Sequence, residues 1–325
     1  MLSDLLENDP VANQRRWRRS SRPVIRPGGT GWADDFIAAC SLVEHEQGLR
    51  LYAEGSAGGR EQIGLFTAES TDPARDVWTP CGDNPILRVG DGFDRGGVFD
   101  PAVVRWGDRW LMYYSATEGD AHAFAEAMEH SVAAEDAPAD ESIGLAVSRD
   151  GLSFTKHPEA PVLSSRCPFA VVDDQSVYLF HVRVTNGGYR IHVARSEDGV
   201  KFREEEHPAL DVGRPGSWDA HTVTTPKVFR DGDLWCMAYA GDDQRLDDPS
   251  AIGLAFSDDL LNWERFAGNP VFTLGESGSF DSRSLQSPII RRFGDRYYMW
   301  YAGSDRLIKD GLHSQVGLAW LEALP

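Results

Sequence analysis

The chain has 325 residues, of which 41% are apolar and 10% aromatic, enough for a large packed core. Its formal charge of −19 excludes polyanionic partners, so neither nucleic acid nor an anionic membrane surface is expected to bind. No stretch approaches the ~18 uninterrupted apolar residues of a membrane helix, residues 1–19 lack a secretory core, and Cys40, Cys81, Cys167 and Cys236 show no metal or CxxC spacing. The expectation is a cytoplasmic protein with buried thiols, no metal and no cofactor.

In chain order, the first patterned segment is WRRSSRPVI (Trp17 to Ile25), an aromatic, a spacer, a proline and an apolar pair. Residues 31–88 carry a loose copy of a unit that recurs more clearly afterwards, ending in IGLFTAESTDPARDVW and NPIL. The second copy (92–164) reads FDRGGVFDPAVVRWGDRWLMYYSA, then an insert from Thr117 to Glu141, then IGLAVSRDGLSF and APVL. The third (165–211) opens CPFAVVDDQSVYLFHVRV without the aromatic-Asp start and continues IHVARSEDGVKF and HPAL. The fourth (217–273) runs WDAHTVTTPKVFRDGDLWCMAYAG, IGLAFSDDLLNW and NPVF. The fifth (279–325) runs FDSRSLQSPIIRRFGDRYYMWYAG and VGLAWLEALP, and stops after its third strand.

Each unit is an apolar strand, a Gly-Asp type turn, an aromatic strand, a third strand and a short proline-led edge strand. Gly and Asp accept the φ > 0 positions that hairpin turns require, and a proline is tolerated where no ladder N–H is needed. Five such units predict an all-β fold, a single five-bladed β-propeller in one domain. Trp17–Ile25 has the form of the missing fourth strand of the last unit. It is expected to close the ring.

Loop length concentrates on one face, after the second strands of blades 2, 4 and 5, where binding loops are expected. The insert AHAFAEAMEHSVAAED has helical propensity and is expected to form a lid or a surface excursion. Within the repeat, Asp34, Asp94, Asp219 and Asp281 share one position, which points to blade-to-blade hydrogen bonding or turn capping. Six residues further on, Cys40, Asp100, Thr225 and Ser287 share another. Functional groups that break the pattern near the channel mouth are Asp35, Asp100, His221 and Arg283. Glu118 follows the second strand of blade 2. His181 and Arg183 alternate with valines on one side of blade 3. Trp218, with Phe99 and Tyr114, offers stacking surface for a sugar ring, or blade core.

The pairs FDPAVVRWGDRWLMYYSA and IGLAVSRDGLSFTKHPEAPVL resemble the five-bladed propeller glycosidases: the arabinanase, xylosidase, invertase and levansucrase superfamily (glycoside hydrolase families 43 and 32), with the family 130 mannoside phosphorylases. The resemblance spans the whole chain as a pattern. It implies an oligosaccharide or small-molecule substrate and acidic residues of different blades converging on the channel mouth, one as base or nucleophile and one as general acid. Asp100 matches the family's Asp-Pro element. Asp35 stands on blade 1, where the base is expected. The family's general-acid glutamate has no counterpart at the head of a later inner strand, and His221, Glu118, Asp219 and Asp281 are what blades 2, 4 and 5 supply instead. The expected function is therefore a glycosidase-type hydrolase with Asp35 or Asp100 as base, His221 or Glu118 as acid, and Asp219, Asp281, Arg283, His181, Arg183 and Trp218 binding substrate. A propeller that binds carbohydrate without cleaving it is one alternative. A phosphorylase is another, its anion site formed by Arg283, Arg183 and His181.

Overall fold

The computed structural model describes residues 1–46, 48–69, 72–73, 76–119, 141–307 and 313–321. Five antiparallel sheets form a five-bladed β-propeller. The inner strands are Phe36–His45, Gly97–Trp106, Arg166–Asp173, Thr222–Asp231 and Ser284–Phe293. The fifth sheet takes its outer strand from the N-terminal segment. Trp17–Arg19 pairs with Ala319–Leu321, and Ile25 bridges to Val316. The proline-led segments of the other blades act similarly, through the bridges Ile63 to Leu87, Ile143 to Leu163 and Ile191 to Leu210, and the pairing of Ile252 with Phe272. The lid expected within residues 117–141 falls largely on 120–140, outside the described residues.

The apolar core is divided among the interfaces between neighbouring blades, such as that of blades 3 and 4 around Phe180, Val228 and Met237. Second-strand tyrosines stitch these interfaces: Tyr52 donates to the Gly151 carbonyl of blade 2 at 2.7 Å, and Tyr113 to that of Gly199 in blade 3 at 2.8 Å.

The aromatic-Asp signature acts within a blade, not between blades as one sequence reading supposed. Asp94, Asp219 and Asp281 are all buried. They accept from Tyr114 (3.2 Å), Tyr239 (3.1 Å) and Tyr301 (2.7 Å) of their own second strands. Each also pairs with a cation of a short outer strand beside its own third strand: Lys156 of Thr155–Lys156 at 2.5 Å, Arg265 of Glu264–Arg265 at 2.9 Å, and Arg19 of the closing segment. The preceding aromatic lies on the same tyrosine, as Trp218 does on Tyr239 with centroids 5.5 Å apart. Opposite those tyrosines stand Gly144, Gly253 and Gly317, the glycines of the I/V-G-L strands. A Cβ on Gly144 or Gly317 would lie 2.3 or 2.4 Å from Cζ of the facing tyrosine. Blade 3 lacks the aromatic-Asp start and replaces the Tyr–Gly pair with stacked His181 and His192.

Each inner pair breaks register once. The breaks fall between Ala39 and Ser41, Phe99 and Ala102, Arg166 and Phe169, Thr224 and Lys227, and Gln286 and Ile289. The residues at the breaks are Cys40, Asp100, Cys167, Thr225 and Ser287. In blades 2 to 5 this residue has φ of 45–51° and is followed by proline. Left-handed non-glycine residues cost about 1 kcal/mol or more each and cluster at functional sites. Bulges re-aim side chains, and this ring of them sets the level at which the channel carries its polar groups.

Candidate active site

At that level the channel opens into a cavity of about 110 Å³ whose lining includes Glu54, Glu61, Asp100, Glu141, Arg166 and Asp247. Asp100 is presented by the bulge of blade 2. Its backbone N–H donates to Glu54 Oε2 at 2.6 Å, and its Oδ2 accepts from Ser115 Oγ at 3.0 Å. Ser115 in turn accepts from the Cys167 N–H at 2.8 Å, so blades 1, 2 and 3 jointly fix this aspartate. Burial, then the negative charges of Asp100 and Glu61, push the Glu54 carboxyl well above its ordinary range. The ligand atoms of Cys40, Glu54 and Asp100 lie within 4.8 Å of one another. The buried ammonium of Lys227 offsets part of the charge on Glu54, so this cluster already has a resident cation.

Arg166 organises the other half. Its Nε lies 3.1 Å from Glu141 Oε2 and its Nη1 3.3 Å from Asp247 Oδ1. Nη1 also donates to Tyr189 Oη at 2.5 Å, and that hydroxyl donates to Asp247. Asp247 comes from the 242–250 loop of blade 4. The loop is tied down by Asp242, which accepts from the Gln244 and Arg245 amides, and by the Gln286 amide, which donates to the Asp247 carbonyl. Burial pushes the Glu141 carboxyl up to about 7, Arg166 pulling it down and Asp247 pushing it further up. Desolvation and crowding by like charge are the means by which one site holds a protonated and an ionised carboxyl together at neutral pH.

Of the candidate acids, bases and substrate ligands singled out in the sequence, Asp100 lines this cavity, and of the candidate stacking aromatics Phe99 does. Asp35 is exposed and accepts from the Gly58 N–H of a hairpin turn at 2.7 Å. Glu118 is 55% exposed and pairs with Arg95 at 3.1 Å. His221 is half-buried beside the tight turn of blade 3, its pKa lowered mainly by desolvation. Arg283 is exposed, its carbonyl accepting from Arg245. His181 is fully buried against Ser165 (2.8 Å), and Arg183 pairs with Glu204 at 2.9 Å, so these two do not join Arg283 in an anion site. Asp219, Asp281 and Trp218 serve blade packing as described above.

Sequence reasoning missed Glu54, Glu61, Glu141, Arg166 and Asp247, although four of them carry a signal. Register places Glu54 where the other blades have Ser115, Val182, Ala240 and Ala302, an acid in only one blade. Glu61 and Glu141 open the third strands as E-x-I-G-L in blades 1 and 2. Aligning blade 3 on its Cys-Pro puts Arg166 level with Phe99, Thr224 and Gln286. Blade 3 does supply a basic group to the channel, from its inner strand and not from His181 or Arg183. Asp247 lies in an irregular loop, where no repeat position exists to compare.

No family model matches the chain. Over 235 residues it is 27% identical to Uncharacterized protein Rv1502 of Mycobacterium tuberculosis and to MT1551 of a second strain, covering 68% of this chain and 73% of theirs. Among solved structures, one comes from a study of the GH130 family of mannoside phosphorylases, which contains glycoside hydrolases that target β-1,2 mannosidic linkages in Candida mannan. It superposes with a TM-score of 0.68 at 15% identity, covering 95% of this chain and 96% of that one. An N-acetylgalactosamine deacetylase from F. plautii in complex with blood group B trisaccharide gives 0.68 at 15% identity, covering 94% and 95%. A thermostable family-43 glycoside hydrolase gives 0.60 at 19% identity, covering 90% of this chain and 89% of that one. At these identities the shared property is the fold.

Proposed function

We propose that this cavity is the active site of a carbohydrate-active enzyme that cleaves a glycosidic bond, with Asp100 as base or nucleophile and Glu141 as general acid. One observation carries the reading: carboxyls of blades 1, 2 and 4 converge on one buried cavity, and one of them, Glu141, is poised near neutrality. Glycoside cleavage needs a carboxyl that still holds its proton to give to the leaving oxygen, and a second that receives one or attacks. Glu54 positions the bulge that presents Asp100. Arg166, with Tyr189 and Asp247, holds Glu141 in place. The fold of the neighbours supports the substrate class.

The test is turnover of a panel of aryl glycosides (arabinofuranosides, xylosides, fructosides and mannosides) and of oligosaccharides, with and without phosphate. Asp100→Asn is expected to lose activity on every donor. Glu141→Gln is expected to lose about 10²–10⁴-fold on sugar leaving groups, the usual range for general acid catalysis. It should keep most of the rate on a dinitrophenyl donor, which departs without a proton. Equal losses on both donors would remove Glu141 as the acid. Saturable oligosaccharide binding without turnover of any donor would replace the enzyme by a binding propeller. Phosphate is expected to leave the rate unchanged, since Arg166 is already held by Glu141 and Asp247.

A further inference from the structure

At its opposite end the channel opens into a second, larger cavity of about 860 Å³, lined by the far ends of the inner strands and the turns beside them. Four arginines reach it: Arg50, Arg105, Arg149 and Arg291. They outnumber the carboxylates there, Glu44, Glu46 and Asp150, in a chain whose overall charge is −19. Other arginines of the described residues are taken up in ion pairs, among them Arg19, Arg95, Arg166, Arg183, Arg190, Arg245, Arg265 and Arg306.

The hydrogen bonds of Arg50 and Arg291 go instead to neutral carbonyls. Arg50 is buried and donates to the Asp150 carbonyl at 2.6 Å, while the Asp150 carboxylate is taken up by Ser148 and the Leu152 and Ser153 amides. Arg291 donates to the Ile290 carbonyl at 2.8 Å and the Leu42 carbonyl at 3.4 Å. Arg105 lies over Trp110, 5.8 Å from the ring centre, and Arg149 is exposed. Burial draws the Arg291 guanidinium down to about 10, only partly offset by Glu44.

Register shows that Arg50 and Arg291 have no architectural excuse. Where Arg291 stands, the other inner strands carry Val43, Val104, Val171 and Phe229. Where Arg50 stands, the other second strands carry Leu111, Tyr178, Cys236 and Tyr298. Glu44 offsets only part of the burial of Arg291, and the Asp150 carboxylate beside Arg50 is taken up by a hydroxyl and two amides, so these two guanidinium groups, placed against the repeat, call for a partner that brings further negative charge.

We propose that this lower cavity binds an oxyanion, a phosphate or sulfate group, either free or carried on a small molecule. Arg50 and Arg291 are its inner ligands, and Arg105 and Arg149 its rim. The planar donor fork of arginine matches such groups. The acidic upper cavity repels the same ligand, so the two ends of one channel take opposite chemistries. This inference stands independently of the glycosidase reading.

Calorimetric titration of the full chain at low ionic strength tests it, with inorganic phosphate, sulfate and pyrophosphate as probes and hexose 6-phosphate as the organic arm. Saturable 1:1 binding is expected, weakened tenfold or more by Arg50→Met or Arg291→Met and unchanged by Arg306→Met at the upper rim. A sugar phosphate that binds tenfold tighter than inorganic phosphate assigns an organic ligand, and equal affinities assign the free ion. Should either inner variant fail to fold, Arg105→Met/Arg149→Met, which alters only the rim, is expected to weaken binding several-fold. Absence of saturable binding to every probe, binding unchanged in the folded Arg50 and Arg291 variants or the rim variant, or loss of binding on Arg306→Met would each overturn the proposal.

Discussion

Glu141→Gln should stabilise the protein at pH 8 and leave it nearly unchanged at pH 4. In the folded chain burial raises the Glu141 carboxyl from its ordinary 4.5 to about 7. Between those values the native state holds a proton that the unfolded chain has released, so stability falls as pH rises through the window. The displacement corresponds to roughly 3 kcal/mol. That cost is absent below pH 4.5, grows from there and is complete above pH 7. Glutamine keeps the shape of the protonated acid and removes the titration, while Arg166 retains Asp247. Urea unfolding of both proteins at pH 4, 5, 6, 7 and 8 should therefore give midpoints that nearly coincide at pH 4 and separate progressively above it, the variant being the more stable. A difference that stays flat with pH would refute the reasoning, because Glu141 would then titrate alike in folded and unfolded chains. The experiment needs no substrate, so it tests the electrostatics of the site apart from its activity.

Gly144→Ala should cost about 1–3 kcal/mol, the usual range for overpacking, because its methyl group falls on a Tyr114 ring pinned by Phe93 and Asp94; the denaturation midpoint reports it. Arg19→Met leaves the fully buried Asp281 without its cation and should cost about 3–5 kcal/mol by the same measurement. The histidines of blade 3 impose the opposite pH dependence to Glu141. Desolvation lowers both, His192 to about 4, so the native state resists protonation and their contribution to stability is lost as pH falls from about 6.5 towards 4. His192→Gln should flatten that acid limb in unfolding experiments between pH 4 and 7.

The propeller is legible in the sequence because a four-strand unit must repeat the residues that its geometry requires. The Tyr114–Gly144 contact and the Asp94–Lys156 pair recur as Tyr239–Gly253 with Asp219–Arg265 and as Tyr301–Gly317 with Asp281–Arg19. The same regularity located Asp100, since Asp-Pro marks the bulge. It misled where a residue broke the repeat without facing the channel. Asp35 and His221 are singular in sequence, but one caps a turn and the other sits beside a neighbouring turn. Glu54 and Arg50 are just as singular and do line the channel's two ends. They stand on second strands, and sequence alone does not say which side of the blade they face until register is known. Asp247 reaches the cavity from a loop whose path depends on contacts with blade 5.

The closing of blade 5 by residues 17–19 also sets an order of events during synthesis. At the ribosomal rate of about 5–20 residues per second, strand 315–321 emerges roughly 15–60 s after the segment that must lie beside it. Blades 1 to 4 are complete by then, each from contiguous chain. Throughout that interval Trp17, destined for the interface of blades 4 and 5, has no partner strand, and until Asp281 emerges Arg19 has no aspartate. The segment behaves as a tethered latch that waits for the final sheet. A premature stop within blade 5 would leave both the latch and the flank of blade 4 exposed to other chains.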